Sequence, residues 1–309
     1  MKLDARILVT GANGLFGSAL VDALRMRGHE NVFGVGRSEC DLTDVPATRR
    51  CFEVLAPEYV FHAAGRVYGI MGNMKNKALS FYDNVMINTN VVDAAHRAGV
   101  RKIAVMGTGA VYPYPPPGQP FTEDMIFLGE PHSSEDSYSH AKRAMLGMLR
   151  AYGESHGLDW AYIVSCNLYG PRDRFDPEHG HVIPSLVNRF HAAKRDGGNV
   201  TVWGDGSARR DFLYVYDAVK AAIGIMDGIQ GPVNIGSGRV FSINELVETL
   251  AEVTGMQGRV VWDKDKPNGR EYLGYDLSKV QALGFTCDYS LREGLEATWK
   301  WYIQRQRSV

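Results

Sequence analysis

Tyr138 and Lys142, in Ser137-Tyr138-Ser139-His140-Ala141-Lys142, have the residue types and spacing for proton transfer. Positions i and i+4 of a helix share a face, so the Lys142 ammonium would stand beside the Tyr138 phenol and favour its ionised form. A phenol whose pKa is drawn toward neutrality is a usable proton donor or acceptor. Far upstream, Gly11-Ala12-Asn13-Gly14-Leu15-Phe16-Gly17 follows the apolar run Ile7-Leu8-Val9. Gly11, Gly14 and Gly17 permit a tight turn, close approach of backbone to a pyrophosphate and close packing of helix on strand. A helix opening at Leu15 adds N–H groups and positive dipole, so Asn13, Leu15 and Phe16 fall on the cofactor with the glycines. Each motif is weak alone; in this order they point to redox chemistry on a nicotinamide cofactor.

The second strand should end Gly34-Val35-Gly36-Arg37-Ser38. An acidic residue there would hold the ribose 2′-hydroxyl of NAD, whereas Arg37 suits a 2′-phosphate and favours NADP. Glu39 lies close enough to keep NAD open. Asp41 and Leu42 should flank the adenine, and Ala63 and Ala64, after Phe61-His62, supply small residues where backbone must approach the dinucleotide. His62 reads as a satisfied structural histidine.

The elements that would position these residues alternate. Strands are expected at Arg6 to Thr10, Asn31 to Gly36, Tyr59 to His62, Lys102 to Met106 and Trp160 to Ser165. Helices are expected at Leu15 to Arg27, Pro46 to Leu55, Asn84 to Ala98 and Tyr138 to His156. This alternation implies a parallel sheet with right-handed crossovers. Tyr112 to Pro120, with Pro115-Pro116-Pro117, can only be an irregular surface loop, and Asn167-Leu168-Tyr169-Gly170-Pro171 turns away from the sheet. The expected fold is α/β: a Rossmann-type doubly wound sheet over residues 1–168, with a smaller C-terminal α/β substrate lobe over 169–309. That lobe should hold a helix from Val182 to Arg195, strands near Val200 to Trp203 and Val233 to Ile235, and helices opened by Ser242–Glu245 and Ser290–Glu293 capping boxes. One of the later strands is expected back on the main sheet.

The 309 residues suffice for a full core. A formal net charge of −1 gives no global basic field for nucleic acid or anionic membrane, which leaves small ligands. Cys40, Cys51, Cys166 and Cys287 have neither disulfide-framework nor zinc spacing, so no metal is expected and the thiols read as reduced in a cytoplasmic protein. No signal peptide or membrane span is read.

The set Asn84-Val85-Met86-Ile87-Asn88-Thr89-Asn90, Asn167-Leu168-Tyr169-Gly170-Pro171, His181-Val182-Ile183-Pro184, Val202-Trp203-Gly204 and Arg210-Asp211-Phe212-Leu213 resembles the extended short-chain dehydrogenase/reductases. More narrowly it resembles the GDP-L-fucose synthase family of epimerase/reductases, over nearly the whole chain. The resemblance implies Tyr138 as general acid, Lys142 on the nicotinamide ribose, and Thr108 in place of the serine that hydrogen-bonds the reacting oxygen. It implies Asn167, Arg189, Trp203, Arg210 and Asn268 in a pocket for a GDP-linked sugar, with Asn167 also near the cofactor, and a homodimer formed by the helices Asn84 to Ala98 and Tyr138 to Gly153. Met145, Leu146 and Met148 would be buried between the subunits.

The chain also departs from the family pattern. The cysteine base two residues beyond that serine is Ala110, and a family aspartate is Asn268. His181 matches the partner acid in epimerisation, with binding or packing roles equally open. A nucleotide-sugar 4-keto reductase lacking the 3,5-epimerase step is the reading that follows. A C4 epimerase or C4 dehydrogenase holding its cofactor tightly fits Ala110 as well. A non-catalytic NADP-binding protein would have no need of Thr108, Tyr138 and Lys142 together.

Overall fold

Short, mainly apolar runs become the central strands because both faces of a parallel sheet are covered. β1 (Ile7–Thr10), β2 (Val32–Val35), β3 (Tyr59–His62), β4 (Lys102–Met106), β5 (Asp159–Ser165) and β9 (Gly231–Ile235) form one parallel six-stranded sheet in the order β2-β1-β3-β4-β5-β9. The computed structural model describes residues 1–67, 73–116, 118–176, 180–266 and 271–307. Helices α1 (Leu15–Met26), α2 (Val45–Leu55), α3 (Lys77–Arg97), α4 (Asp136–His156) and α6 (Val215–Gly228) cover this sheet. The order reverses between β1 and β3, which opens a crevice at their carboxyl ends.

Most of the remaining elements build a second core around Val187, Phe190, Phe212, Leu250 and Leu295. They are β6 (Asn167–Tyr169), α5 (Val182–Asp196), β7 (Val200–Trp203), β8 (Arg209–Tyr214), β10 (Val240–Ser242), α7 (Ile243–Thr254) and β11 (Val260–Asp263), followed after β12 (Tyr272–Leu273) and α8 (Ser278–Gln281), whose Leu273 and Val280 pack in the main-sheet core, by α9 (Leu291–Arg307). Among them β8 is central: β10 and β12 flank it, and β6 pairs with it in parallel. A reciprocal capping box of Ser242 and Glu245 opens α7.

Three sequence expectations change. The helix expected from Asn84 begins at Lys77; Asn84 resembles a cap by residue type, yet its amide donates to Ser80 O and to Arg66 O from mid-helix. Asn167 to Tyr169 forms a strand in register with Phe212 to Tyr214, and the turn waits for Gly170, whose φ of 153° suits glycine. Met145 and Leu146 are buried in the chain's own core, because α4 turns its Ala141-Met145-Leu149 stripe toward the sheet. The outward face of α4 carries Ala144, Gly147 and Ala151, with Met148 partly exposed.

Candidate active site

The site grows from the carboxyl end of β4. There Thr108 opens a single tight turn, Gly109–Val111, and its hydroxyl oxygen accepts the Ala110 N–H at 3.2 Å. Helix α4 is fastened to this segment by three side chains along one face. Lys142 Nζ donates to Met106 O at 2.9 Å and Ser139 Oγ to Ala110 O at 2.9 Å. Arg143 donates through Nε and Nη2 to Val111 O, and through Nη2 to Gly129 O. The bonds satisfy carbonyls at the end of β4, in the turn after it and at Gly129, so the register between Thr108 and the Tyr138-Lys142 face is strongly determined. Ser139 and Arg143 are the positioning residues the sequence reading missed. Their signal was local: they sit one residue after Tyr138 and Lys142, polar on a helix face that must be buried.

Lys142 is 2% exposed, and its Nζ lies 5.7 Å from the centre of the Tyr138 ring. Burial lowers its pKa to about 8. The expected lowering of the Tyr138 pKa does not appear in the protein alone. Burial, and after it the Glu135 carboxylate, raises that pKa, so the phenol is held as a neutral proton donor. The lysine's charge is felt instead at His62, whose pKa falls to about 3 through burial first and Lys142 second.

His62 is structural. Its Nδ1 accepts from Thr10 Oγ1 at 2.7 Å, and its Nε2–H donates to Asn88 Oδ1 at 3.1 Å. Thr10 Oγ1 in turn accepts the Ala64 N–H at 3.4 Å. This chain ties β1 to β3 where the sheet order reverses. At the same place Gly11 has φ +71°, and a Cβ there would stand 2.7 Å from Ala64 N, so the glycine loop lies directly on Ala63 and Ala64. A Cβ on Gly17 would come within 2.2 Å of Gly11 O. The first internal bond of α1 runs from Ser18 N–H to Gly14 O, which leaves the N–H groups of Leu15, Phe16 and Gly17 in the first turn, where helix geometry gives them no internal acceptor. This cradle fits a dinucleotide pyrophosphate. Gly65 completes it, since a Cβ there would meet Asn84 Oδ1 at 3.2 Å and Lys142 Nζ at 3.7 Å.

At the far end of the crevice Arg37 follows β2 with its side chain 67% exposed, 3.8 Å from Asp41 Oδ2. Asp41 caps its own turn through Thr43 N and Oγ1. Leu42 packs in the core and offers a ligand only backbone, where its carbonyl already accepts from Asn90 Nδ2. Asn13 lies against Gly36 of the same turn, its Nδ2 occupying the space a Cβ would need.

Of the lobe residues, Asn167 and Arg210 lie on the paired strands β6 and β8, and Arg189 lies with Trp203. Asn167 begins β6, directly beyond β5, opposite Phe212 of β8. Two residues before Phe212, Arg210 sits at the register of Phe241 and Leu273. Arg189 stacks its guanidinium 5.1 Å from the Trp203 ring centre and donates to Thr201 O at 3.2 Å. Arg189 and Trp203 border an open groove of ≈ 480 Å³ with Ala192, Asp196 and Thr201. His181 is the exposed N-cap of α5. Asn268 lies outside the described residues. Cys166 is buried and its thiol pKa is pushed well up by burial, which makes it unreactive.

Residues 7–236 match the NAD dependent epimerase/dehydratase family. A probable GDP-L-fucose synthase of Oryza sativa subsp. japonica is 41% identical over 303 residues, 97% of this chain and 92% of that protein. Among solved structures, a GDP-6-OMe-4-keto-L-xylo-heptose reductase from C. jejuni is similar with a TM-score of 0.93 at 28% identity, covering 99% of both chains. A GDP-L-fucose synthetase from Naegleria fowleri bound to NADP is similar with a TM-score of 0.92 at 29% identity, covering 100% of this chain and 96% of that one. With its glycine cradle at the β1/β3 crevice and its Tyr138-Lys142 face fastened beneath Thr108, the chain belongs to the NAD-dependent epimerase/dehydratase family, the extended short-chain dehydrogenase/reductases.

Proposed function

We propose that this protein is an NADP(H)-dependent reductase of the C4 carbonyl of a GDP-linked 4-keto sugar, without the 3,5-epimerisation that accompanies reduction in epimerase/reductases. Its broader activity, NADPH-dependent oxidoreduction of a nucleotide sugar, is that of its relatives. The observation that carries the finer reading is the turn beneath the reacting centre. Ala110, 7% exposed, stands there with its N–H on Thr108 and its carbonyl on Ser139, so the position offers no proton acceptor.

NADPH, when bound, supplies hydride to the carbonyl carbon. The Gly11 to Gly17 loop, Arg37, Ala63, Ala64, Lys142 and Asn167 would hold it. The neutral Tyr138 phenol gives its proton to the carbonyl oxygen as charge develops there. Thr108 already accepts a hydrogen bond from Ala110, so its own O–H is left to donate to the same oxygen. Lys142 spends one ammonium proton on Met106 O and keeps two for the ribose and for stabilising charge on Tyr138. Arg189, Trp203 and Arg210 would bind the nucleotide sugar by stacking and by pairing with diphosphate oxygens. Two subunits would pair through Phe81 and Tyr82 of α3 and the Ala144-Gly147-Ala151 face of α4, whose small side chains permit close helix approach. Light scattering should then give twice the chain mass.

Incubating the enzyme with 4-keto substrate and NADP⁺ in heavy water, with no reductant, isolates the epimerisation half. No enzyme-dependent deuterium should enter C3 or C5, and with NADPH one cofactor should be oxidised per product. Rapid exchange abolished by His181→Asn would overturn the reductase-only reading, because another residue would then act as base.

A further inference from the structure

The turn after β2 holds an acidic residue in an unusual employment. Glu39 is exposed, yet both oxygens of its carboxylate face inward on its own turn. Oε2 accepts the Gly36 N–H at 2.8 Å, and Oε1 accepts from Ser38 Oγ at 2.6 Å. The Cys40 N–H closes the same loop on Gly36 O at 3.1 Å. These bonds lower the carboxyl pKa, Ser38 contributing most and Gly36 next. Arg37 is the residue between the two donors. With its neighbours on either side bound to one carboxylate, its backbone is held in a tight arc that leaves the guanidinium exposed, and Asp41, 3.8 Å away, pairs with it there. The arc also leans on the cofactor cradle, since a Cβ on Gly36 would collide with Asn13 Nδ2.

In an NAD-binding arrangement, an acidic side chain near this strand end accepts hydrogen bonds from the ribose hydroxyls. A carboxylate at that place repels a 2′-phosphate. Here the carboxylate has been turned from ligand to brace. We propose that Glu39 is a positioning residue for cofactor choice: it clamps Gly36 and Ser38 so that Arg37 is presented to the 2′-phosphate of NADP(H). This rests on Arg37 reading that phosphate.

The clamp and simple charge repulsion predict opposite signs for one substitution. If Glu39 only repels the phosphate, Glu39→Ala tightens NADPH; if it braces Arg37, Glu39→Ala weakens NADPH and leaves NADH nearly unchanged. Equilibrium titration of NADPH and NADH by fluorescence, on the full chain and without turnover, reads the difference. Expected is a roughly 5- to 10-fold weaker NADPH Kd for Glu39→Ala, from the loss of two charge-assisted hydrogen bonds that order the arc. Glu39→Gln, which keeps an acceptor for Gly36, should fall between it and the unmodified protein. Arg37→Ala should weaken NADPH by about 10-fold or more, and adding Glu39→Ala to it should cost nothing further. Unchanged or tighter NADPH binding in Glu39→Ala, or equal losses for both cofactors, overturns the clamp. If Arg37→Ala leaves NADPH binding intact, the phosphate reading falls, and the clamp with it; if only the Glu39 variants fail, the phosphate reading stands alone.

Discussion

The two ends of the candidate site, the α4 face and the Trp203-Arg189 stack of the lobe, are built by different means. Around Tyr138 and Lys142, polar side chains are buried and bound to named carbonyls: Lys142 to Met106, Ser139 to Ala110, Arg143 to Val111 and Gly129. Around Trp203 and Arg189 the groove is open, Trp203 is 42% exposed, and the principal contact is a stacked guanidinium. Buried bonds of the first kind fix atoms closely because breaking one strands a polar group without water. Stacking on an exposed ring fixes a plane and little else. The α4 face is therefore built for geometry, and the Trp203-Arg189 stack leaves its neighbours more freedom.

The sharpest break of this contrast is Tyr138→Phe. It removes one oxygen and leaves the three α4 fastenings intact, so turnover should fall at least ~100-fold while thermal stability and NADPH affinity change little. Near-normal turnover in steady-state assays would remove Tyr138 from the chemistry.

Next in size is the pH response of Lys142. Its ordinary value of 10.5 is lowered by burial to about 8. The ammonium is therefore present below pH 8 and lost as pH rises through it, and turnover at saturating substrate should decline across that range. Stability moves the other way. Between about 8 and 10.5 the unfolded chain binds a proton at this lysine that the native protein has released, so this group's contribution to stability rises with pH. A pH profile of kcat flat to pH 10, in enzyme shown to remain folded, would mean the ammonium is not needed.

Much of this was legible in the sequence, for identifiable reasons. The glycine loop, the Tyr138-Lys142 pair and the five strands β1 to β5 announce themselves by short-range spacing and apolar runs. Arg37 could be placed because strand β2 ends in small residues. What sequence could not show were contacts made across the chain, His62 with Thr10 and Asn88 and Asn84 with Arg66, and the turning of Glu39 onto its own loop. Likewise, helical spacing brings Lys142 near Tyr138 but does not reveal the desolvation and the nearby Glu135 that raise the phenol's pKa. In the lobe, β6, β10, β11 and β12 are two to four residues long, too short for periodicity to register.

Arg143→Met tests whether the fastenings themselves matter. It deletes the donors to Val111 O and Gly129 O while keeping an unbranched side chain. Stranding those two carbonyls should cost roughly 2–4 kcal/mol, measurable by denaturant unfolding. In protein still folded, the turn carrying Thr108 would be loosened, and kcat should fall roughly 10-fold with little change in the nucleotide-sugar KM. A stability loss with unchanged kcat would make Arg143 a purely structural residue.

The smallest effect is expected at the other end. Trp203→Ala removes the exposed ring on which Arg189 stacks, and with it the plane offered to a ligand ring. A base or sugar packed there is held equally in ground and transition states, because it is remote from the reacting carbonyl; its loss should therefore appear in KM and not in kcat. Removing one stacking partner is worth about 1 kcal/mol, so the nucleotide-sugar KM should rise roughly 5- to 10-fold with kcat within about 2-fold. Arg189→Ala should act in the same direction and less than additively, since the guanidinium and the indole share one contact. A fall in kcat as large as that of Arg143→Met would show that the lobe also aligns the carbonyl over the Tyr138 face, and the contrast between a rigid α4 face and a freer lobe stack would fail.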